Sequence, residues 1–165
     1  MPNRMATCVV GLTLAGCAAL SGLGIVPLRF SEPPGRQPEL RILGPGPDRP
    51  LGGAALRLHA RVENPNQVGL TLRQVTGDLQ IEDAEAIQVD FPLGLPLTAL
   101  ADTIIPLDVA IRFDRLPRLA ALVRPALAGE PLGYRLNGSF SVEAGNLGSP
   151  RFGPMTLLTG EIRVR

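Results

Sequence analysis

The strongest constraint on the fold is an alternation of apolar and polar residues with a period of two. In residues 56–63, Leu, Leu, Ala and Val alternate with Arg, His, Arg and Glu. Such alternation gives a strand one face for a core and one face for water, as in antiparallel sheets. Six runs of this kind, separated by Gly, Pro and Asn turns, predict a mostly β chain that forms a sandwich or a barrel. The runs are 56–63, 78–82, 87–91, 107–114, 134–143 and 158–165.

One segment has helical periodicity instead. Its apolar residues recur at helical spacing and are Leu116, Leu119, Leu122, Val123 and Leu127. This spacing predicts a single amphipathic α-helix over about residues 115–128. Asp114 is expected to accept hydrogen bonds at its start and Gly129 to end it in a left-handed conformation. Pro125 is expected to kink or shorten the last turn.

The N-terminal segment predicts a cellular location. Arg4 precedes the apolar stretch 6–14, which is shorter than the roughly 20 residues that span a bilayer. Leu14, Ala15, Gly16 and Cys17 then resemble a bacterial lipobox, at which a peptidase cuts before a cysteine that carries lipid. Residues 1–16 are therefore predicted to be a lipoprotein signal peptide. The alternatives are an ordinary buried N-terminal segment or a plain secretory signal.

The signal peptide sets the domain boundaries and the compartment. Residues 17–38 are rich in Pro and Gly and are predicted to be a tether, although residues 23–30 are apolar enough to dock on the domain. Residues 39–165 then form one domain. Ala18 is not the aspartate that commonly retains lipoproteins in the inner membrane. A cell with an outer membrane should therefore hold the protein there, facing the periplasm; other cells should hold it on the outer face of the plasma membrane.

Charge and composition exclude several kinds of function. The formal net charge is +1, the charges are interspersed, and the chain has no Trp, so nothing indicates nucleic-acid binding. His59 is the only histidine and is expected to be solvated on the outer face of its strand. Glu82, Asp83 and Glu85 lack the spacing of a calcium loop and are expected to form a solvated turn. Ser139 and Ser141 lack a nucleophile turn. No catalytic residue, metal site or cofactor is predicted.

A motif and the order of elements after it carry a family resemblance. Asn64, Pro65 and Asn66 end a long strand, and a second long strand (102–113), the helix and a strand containing Gly138 follow. This order resembles the late embryogenesis abundant type 2 family, which overlaps the water-stress and hypersensitive-response (WHy) domain. The resemblance covers residues 39–165 and implies an antiparallel β-sandwich like fibronectin type III or immunoglobulin domains, with one α-helix. Gln67 follows the motif where the family commonly has an aromatic or apolar residue.

The resemblance implies a non-catalytic lipoprotein that protects proteins or membrane during drying, freezing or other stress. Its partners would be the membrane, through Cys17, and unfolded client proteins or lipids. A different hypothesis is carriage of a lipid in an apolar groove formed by Leu93, Leu95, Leu97 and Leu100, although such a run also suits core packing. A third is an envelope scaffold that binds a protein strand at a sheet edge.

Overall fold

Two antiparallel sheets of four strands each form a β-sandwich in the computed structural model, which describes residues 24–163. The predicted fold class is confirmed. The strands among these residues are β1 (Arg29–Ser31), β2 (Glu39–Leu43), β3 (Gly53–Glu63), β4 (Leu70–Ile81), β5 (Ile87–Leu97), β6 (Asp102–Arg112), β7 (Leu132–Glu143) and β8 (Arg151–Ile162).

The first sheet is built around β3, and the second follows the order β5-β4-β7-β8. β6 pairs with β3 over its whole length, from Gly53 opposite Arg112 to Glu63 opposite Asp102. β1 and β2 share the other edge of β3, β1 beside residues 61–63 and β2 beside residues 53–57. The alternation explains this arrangement, because the apolar side chains of every long strand lie between the two sheets.

The core is a single apolar cluster between the sheets. Phe140 on β7 is its largest fully buried side chain, and it packs against Phe30 and Phe152 with ring centroids 5.0 and 5.3 Å apart. Offset aromatic contacts at these distances stabilise a core beyond simple burial. The other fully buried side chains are Leu56, Leu58, Val62, Leu72, Val75, Leu79, Leu107, Leu136, Val142, Leu158 and Ile162.

The domain begins earlier than the predicted boundary at residue 39. Ile25 and Leu28 are buried in the core, and residues 29–31 form strand β1. The docking alternative therefore describes residues 25–30 better than a free tether does, because burying their apolar side chains is more favourable than leaving them in water. The predicted signal peptide, the lipobox and Cys17 lie outside the described residues.

The predicted helical segment is present, but it is broken. α1 (Pro117–Ala121) and α2 (Val123–Leu127) meet at Leu122. Pro125 has no N–H to donate to the carbonyl of Ala121, so one continuous ladder of hydrogen bonds cannot form here. Gly129 has a φ of 83°, the left-handed conformation expected after the last turn.

The expected cap of this segment is wrong. Asp114 binds Arg112, with 2.8 Å between the guanidinium nitrogen and the carboxylate oxygen, and makes no capping hydrogen bond to the helix. The backbone N–H of Arg118 instead donates to the Glu85 carboxylate at 3.3 Å. The turn between β4 and β5 thus supplies the acceptor for a free N–H at the start of the helix, where the sequence pattern predicted Asp114.

The sandwich has two ends of different construction. One end is formed by residues 24–28 and by the connections 64–69, 98–101 and 144–150. The opposite end is formed by the connections 44–52, 82–86 and 113–131, and there Leu119 and Ala126 of the helices enter the core. Within residues 24–163, no helix has the length and apolar character needed to cross a membrane.

Candidate functional site at the Asn-Pro-Asn corner

Asn64 and Asn66 are buried, although both side chains are polar. A buried amide is costly unless its donors and acceptors find partners inside the protein. The two side chains, on either side of Pro65, meet this requirement through one shared network of hydrogen bonds, called here the asparagine network. It lies where β3 ends and the chain turns toward β4.

Asn64 closes the turn that follows β3. Its Nδ2 donates to the carbonyl oxygens of Val68 at 3.0 Å and Thr98 at 3.1 Å. Its Oδ1 accepts from the backbone N–H of Asn66 at 3.1 Å and from Nδ2 of Asn66 at 3.0 Å. The backbone N–H of Asn64 also donates to the carbonyl of Ala101 at 2.9 Å. One side chain therefore fixes its own turn and joins it to the β5–β6 connection.

Asn66 holds the N-terminal segment. Its Oδ1 accepts from the backbone N–H of Val26 at 2.8 Å, and its Nδ2 donates to the carbonyl of the same residue at 2.9 Å. The backbone carbonyl of Asn66 accepts from the N–H of Leu100 at 3.0 Å. The amide thus binds Val26 as a neighbouring strand would, by one donor and one acceptor.

The asparagine network joins three separate connections at one end of the sandwich. The Asn-Pro-Asn motif was identified from the sequence. Its contact with Val26 was not, because Asn66 and Val26 are 40 positions apart. The only sequence signal for this contact was the apolar character of residues 23–30, which favoured docking. The N-terminal segment therefore enters the domain here, nine residues after Cys17.

This end of the sandwich carries no charge. Residues 24–28, 64–70, 97–101 and 144–150 contain no Asp, Glu, Lys, Arg or His, and they are called here the uncharged end. Most of the charged side chains around it are joined in ion pairs: Arg29 with Glu63 at 3.4 Å, Arg61 with Asp102 at 2.8 Å, and Arg73 with Glu143 at 2.9 Å. Arg151, which directly follows the stretch 144–150, instead donates to the Thr76 hydroxyl at 2.9 Å. The hydrogen bond from Arg61 lowers the pKa of Asp102 below its ordinary value.

His59 is buried, and the expectation that it is solvated is wrong. It points to the outer face of β3, as the alternation predicts, yet only 9% of it is exposed. Pairing of Glu39 with Arg57 brings the preceding residues 35–38 beside it, where an open cleft of about 410 Å³ forms. Its Nδ1 has no hydrogen-bond partner within residues 24–163.

The remaining polar candidates lie apart from one another. Ser139 and Ser141 are on the outer face of the second sheet, whereas His59 is on the outer face of the first, so they cannot act together. Glu82 and Glu85 accept hydrogen bonds from the backbone amides of Gly133 and Arg118, which corrects the expectation of a purely solvated turn. Across residues 24–163, no three His, Cys, Asp or Glu side chains come together as a metal site.

The leucine run proposed as a groove belongs mainly to the core. Leu97 is buried, Leu93 and Leu95 are half-buried against the core, and Leu100 lies in the β5–β6 connection with its side chain in solvent. The space between the helices and the sheets is about 20 Å³, room for about one water molecule and too small for an acyl chain. The packing alternative describes these leucines, apart from Leu100.

A family model identifies the kind of domain. The model of the family described as late embryogenesis abundant protein (LEA_2) matches residues 59–156. A search of curated proteins gives no significant match.

Solved structures that are similar include one titled as a late embryogenesis abundant protein. Its identity is 17% and its TM-score 0.49, and the match covers 76% of this chain and 70% of that one. A protein from Arabidopsis thaliana has 13% identity and a TM-score of 0.46, with coverages of 84% and 78%. A protein from Archaeoglobus fulgidus has 13% identity and a TM-score of 0.44, with coverages of 79% and 97%.

Proposed function

The chain belongs to the late embryogenesis abundant type 2 family, and on that premise we propose that it is a non-catalytic lipoprotein of the cell envelope. In this proposal Cys17 carries the lipid and the sandwich protects nearby proteins or membrane during drying, freezing or a similar stress. No lipid carriage and no cofactor are part of the proposed mechanism.

The observation that carries the proposal is the hold of Asn66 on Val26. Because Ile25 is already packed in the core, the proposed anchor at Cys17 is only eight positions from the folded domain, with seven residues between them. A chain of eight residues reaches about 28 Å when fully extended. The domain would therefore stay beside the membrane, where its local concentration is high.

The outer face of the first sheet suits a protective surface. Arg57 binds Asp108 through two hydrogen bonds of 2.6 and 3.0 Å, and farther along β3 Arg61 binds Asp102. These exposed pairs place charges of both signs among the exposed apolar residues of the face, such as Ile104. Interspersed charges favour solubility, so the face can lie between client proteins without itself aggregating. The positive charges of Arg57 and Arg61 are each compensated locally by the carboxylate that they bind.

The anchor can be tested in cells that process bacterial lipoproteins. Wild-type chain should incorporate an alkyne-labelled fatty acid and enter the membrane fraction, whereas Cys17→Ala should do neither. Cys8→Ala is the matched control, because it removes the other cysteine of the chain and should still be labelled. Equal labelling of wild type and Cys17→Ala would contradict the proposed anchor.

Protection can be tested without the anchor. Residues 18–165 are mixed with a fragile enzyme, which is dried and rehydrated, and albumin at equal mass concentration controls for crowding. The proposal expects more recovered enzyme activity than albumin gives. Recovery equal to that with albumin would contradict the stress role and leave the lipid anchor as a separate question.

A further inference from the structure

We propose that the uncharged end is a membrane-contact surface whose apolar side chains enter the lipid interface once Cys17 is anchored. This inference rests on the proposed anchor and adds an orientation to it: the asparagine network faces the bilayer and the helices face away from it.

The uncharged end presents apolar side chains to solvent from all four of its stretches. Val26 is 50% exposed, Val68 45%, Leu100 69% and Leu147 41%. Exposed apolar side chains grouped at one end of a domain favour a contact surface there, whereas the same residues scattered singly would not. A lipid interface accepts such side chains at a depth of about 5–10 Å.

The asparagine network fixes the backbone at three of these residues. It binds the Val26 peptide through the Asn66 side chain, the Val68 carbonyl through Asn64, and the Leu100 N–H through the Asn66 carbonyl. Leu147 lies at the same end of the second sheet, because β7 ends at Glu143 opposite Thr71 near the start of β4. The fold therefore places the backbone of all four residues at the same end of the sandwich.

The distribution of charge also favours contact between the uncharged end and lipid. A charged side chain that approaches hydrocarbon loses its hydration, which strongly opposes insertion. The uncharged end has no such residue, whereas each connection at the opposite end has at least two, including Asp48 and Arg49. The opposite end also exposes Leu51 and Leu127, but these lie among charges that keep that end in water.

Leu100 has a backbone conformation that is unfavourable for a leucine side chain. Its φ is 54°, in the left-handed region that Gly and Asn adopt more readily than Leu. Its side chain adds little to the core, since most of it is in solvent. A leucine at such a position is consistent with a function of the exposed side chain itself.

The chain outside the described residues argues for a bilayer as the occupant. Residues 1–23 join the domain at this end, and Cys17 is nine residues from Val26. Four partly exposed side chains form a small contact that is weak by itself. An anchor within reach of the same end makes that contact intramolecular and raises its effective concentration.

The test uses the absence of Trp from the chain. Residues 17–165 carrying Leu100→Trp are coupled through Cys17 to a maleimide lipid in phosphatidylcholine vesicles with brominated acyl chains. The matched control is Leu51→Trp, because Leu51 is 68% exposed at the opposite end. Val68→Trp serves as a second reporter should Leu100→Trp fail to fold.

Bromine quenching is expected to be several times stronger for Leu100→Trp than for Leu51→Trp, with a blue-shifted emission. Anionic lipid or added salt should not change the quenching, because the uncharged end offers no charge to attract. Equal quenching at the two positions, or quenching that appears only with anionic lipid, would overturn the inference. Chemical coupling supplies the anchor, so this result is independent of whether cells attach lipid to Cys17.

Discussion

The Asn66 side chain binds both backbone polar groups of Val26, accepting from its N–H at 2.8 Å and donating to its carbonyl at 2.9 Å. Val26 precedes β1 and has no strand neighbour of its own at this point. A side-chain amide, which carries one acceptor and one donor group, replaces that neighbour. The Asn-Pro-Asn turn thereby also fixes the direction from which the N-terminal segment reaches the domain.

Asn66→Ala should lower the free energy of unfolding by about 1 to 3 kcal/mol, because it removes buried hydrogen bonds and leaves polar partners unsatisfied. It should also speed hydrogen exchange at the Val26 amide. Urea unfolding and exchange measured by NMR would check both. Asn146→Ala, at an exposed asparagine of the same end, should change neither. Unchanged exchange at Val26 in Asn66→Ala would contradict the described contact.

Leu100→Asn should leave stability unchanged or raise it by up to about 1 kcal/mol, since Asn tolerates the left-handed conformation better than Leu. Leu51→Asn lacks this gain, as its backbone has no positive φ, and should fall within about 0.5 kcal/mol of wild type. Thermal or urea unfolding measures the difference. Destabilisation by Leu100→Asn greater than by Leu51→Asn would show that the leucine has a packing role instead.

Gly138→Ala should lower stability by about 1 to 3 kcal/mol, as overpacking does. Gly138 of β7 pairs with Gly77 of the neighbouring strand β4, and a Cβ at Gly138 would overlap the backbone carbonyl of Thr76. Gly44→Ala is the control, because a Cβ at Gly44 meets nothing nearby. Calorimetry of the two variants checks the prediction, and equal melting temperatures would count against this close approach of the two strands.

Tyr134 should make stability fall at alkaline pH. Burial, and then its 2.7 Å hydrogen bond to Glu32, raise the pKa of its phenol well above the ordinary value of about 10. The folded state therefore keeps a proton that the unfolded state loses, and unfolding becomes easier as the pH rises above about 10.

Tyr134 is the only tyrosine, so phenolate absorbance reports it alone. The absorbance should appear only together with the loss of β-sheet circular dichroism. In Tyr134→Phe the same pH range should affect stability less. Ionisation at about pH 10 in a still folded protein would contradict the buried environment.

Much of the architecture follows from local patterns. The alternation of Leu56, Leu58 and Val62 with charged residues places those side chains in the core without any knowledge of their neighbours, because a strand has only two faces. Gly129 and the helical spacing before it likewise locate the helical segment. These features depend on residues a few positions apart, and the sequence displays them directly.

Contacts between distant residues were decided only by the tertiary structure. The backbone N–H of Arg118 in α1 donates to Glu85 and not to the nearby Asp114, His59 is buried beside residues 35–38, and Glu32 of the predicted tether binds Tyr134. None of these has a periodic signal, because each joins elements that are far apart in the sequence. The sequence by itself determined which side chains face the core and where the Asn-Pro-Asn turn lies. Only the packed sandwich decided that this turn binds Val26, since hydrogen bonds between segments 40 residues apart exist only after both have been placed by the core.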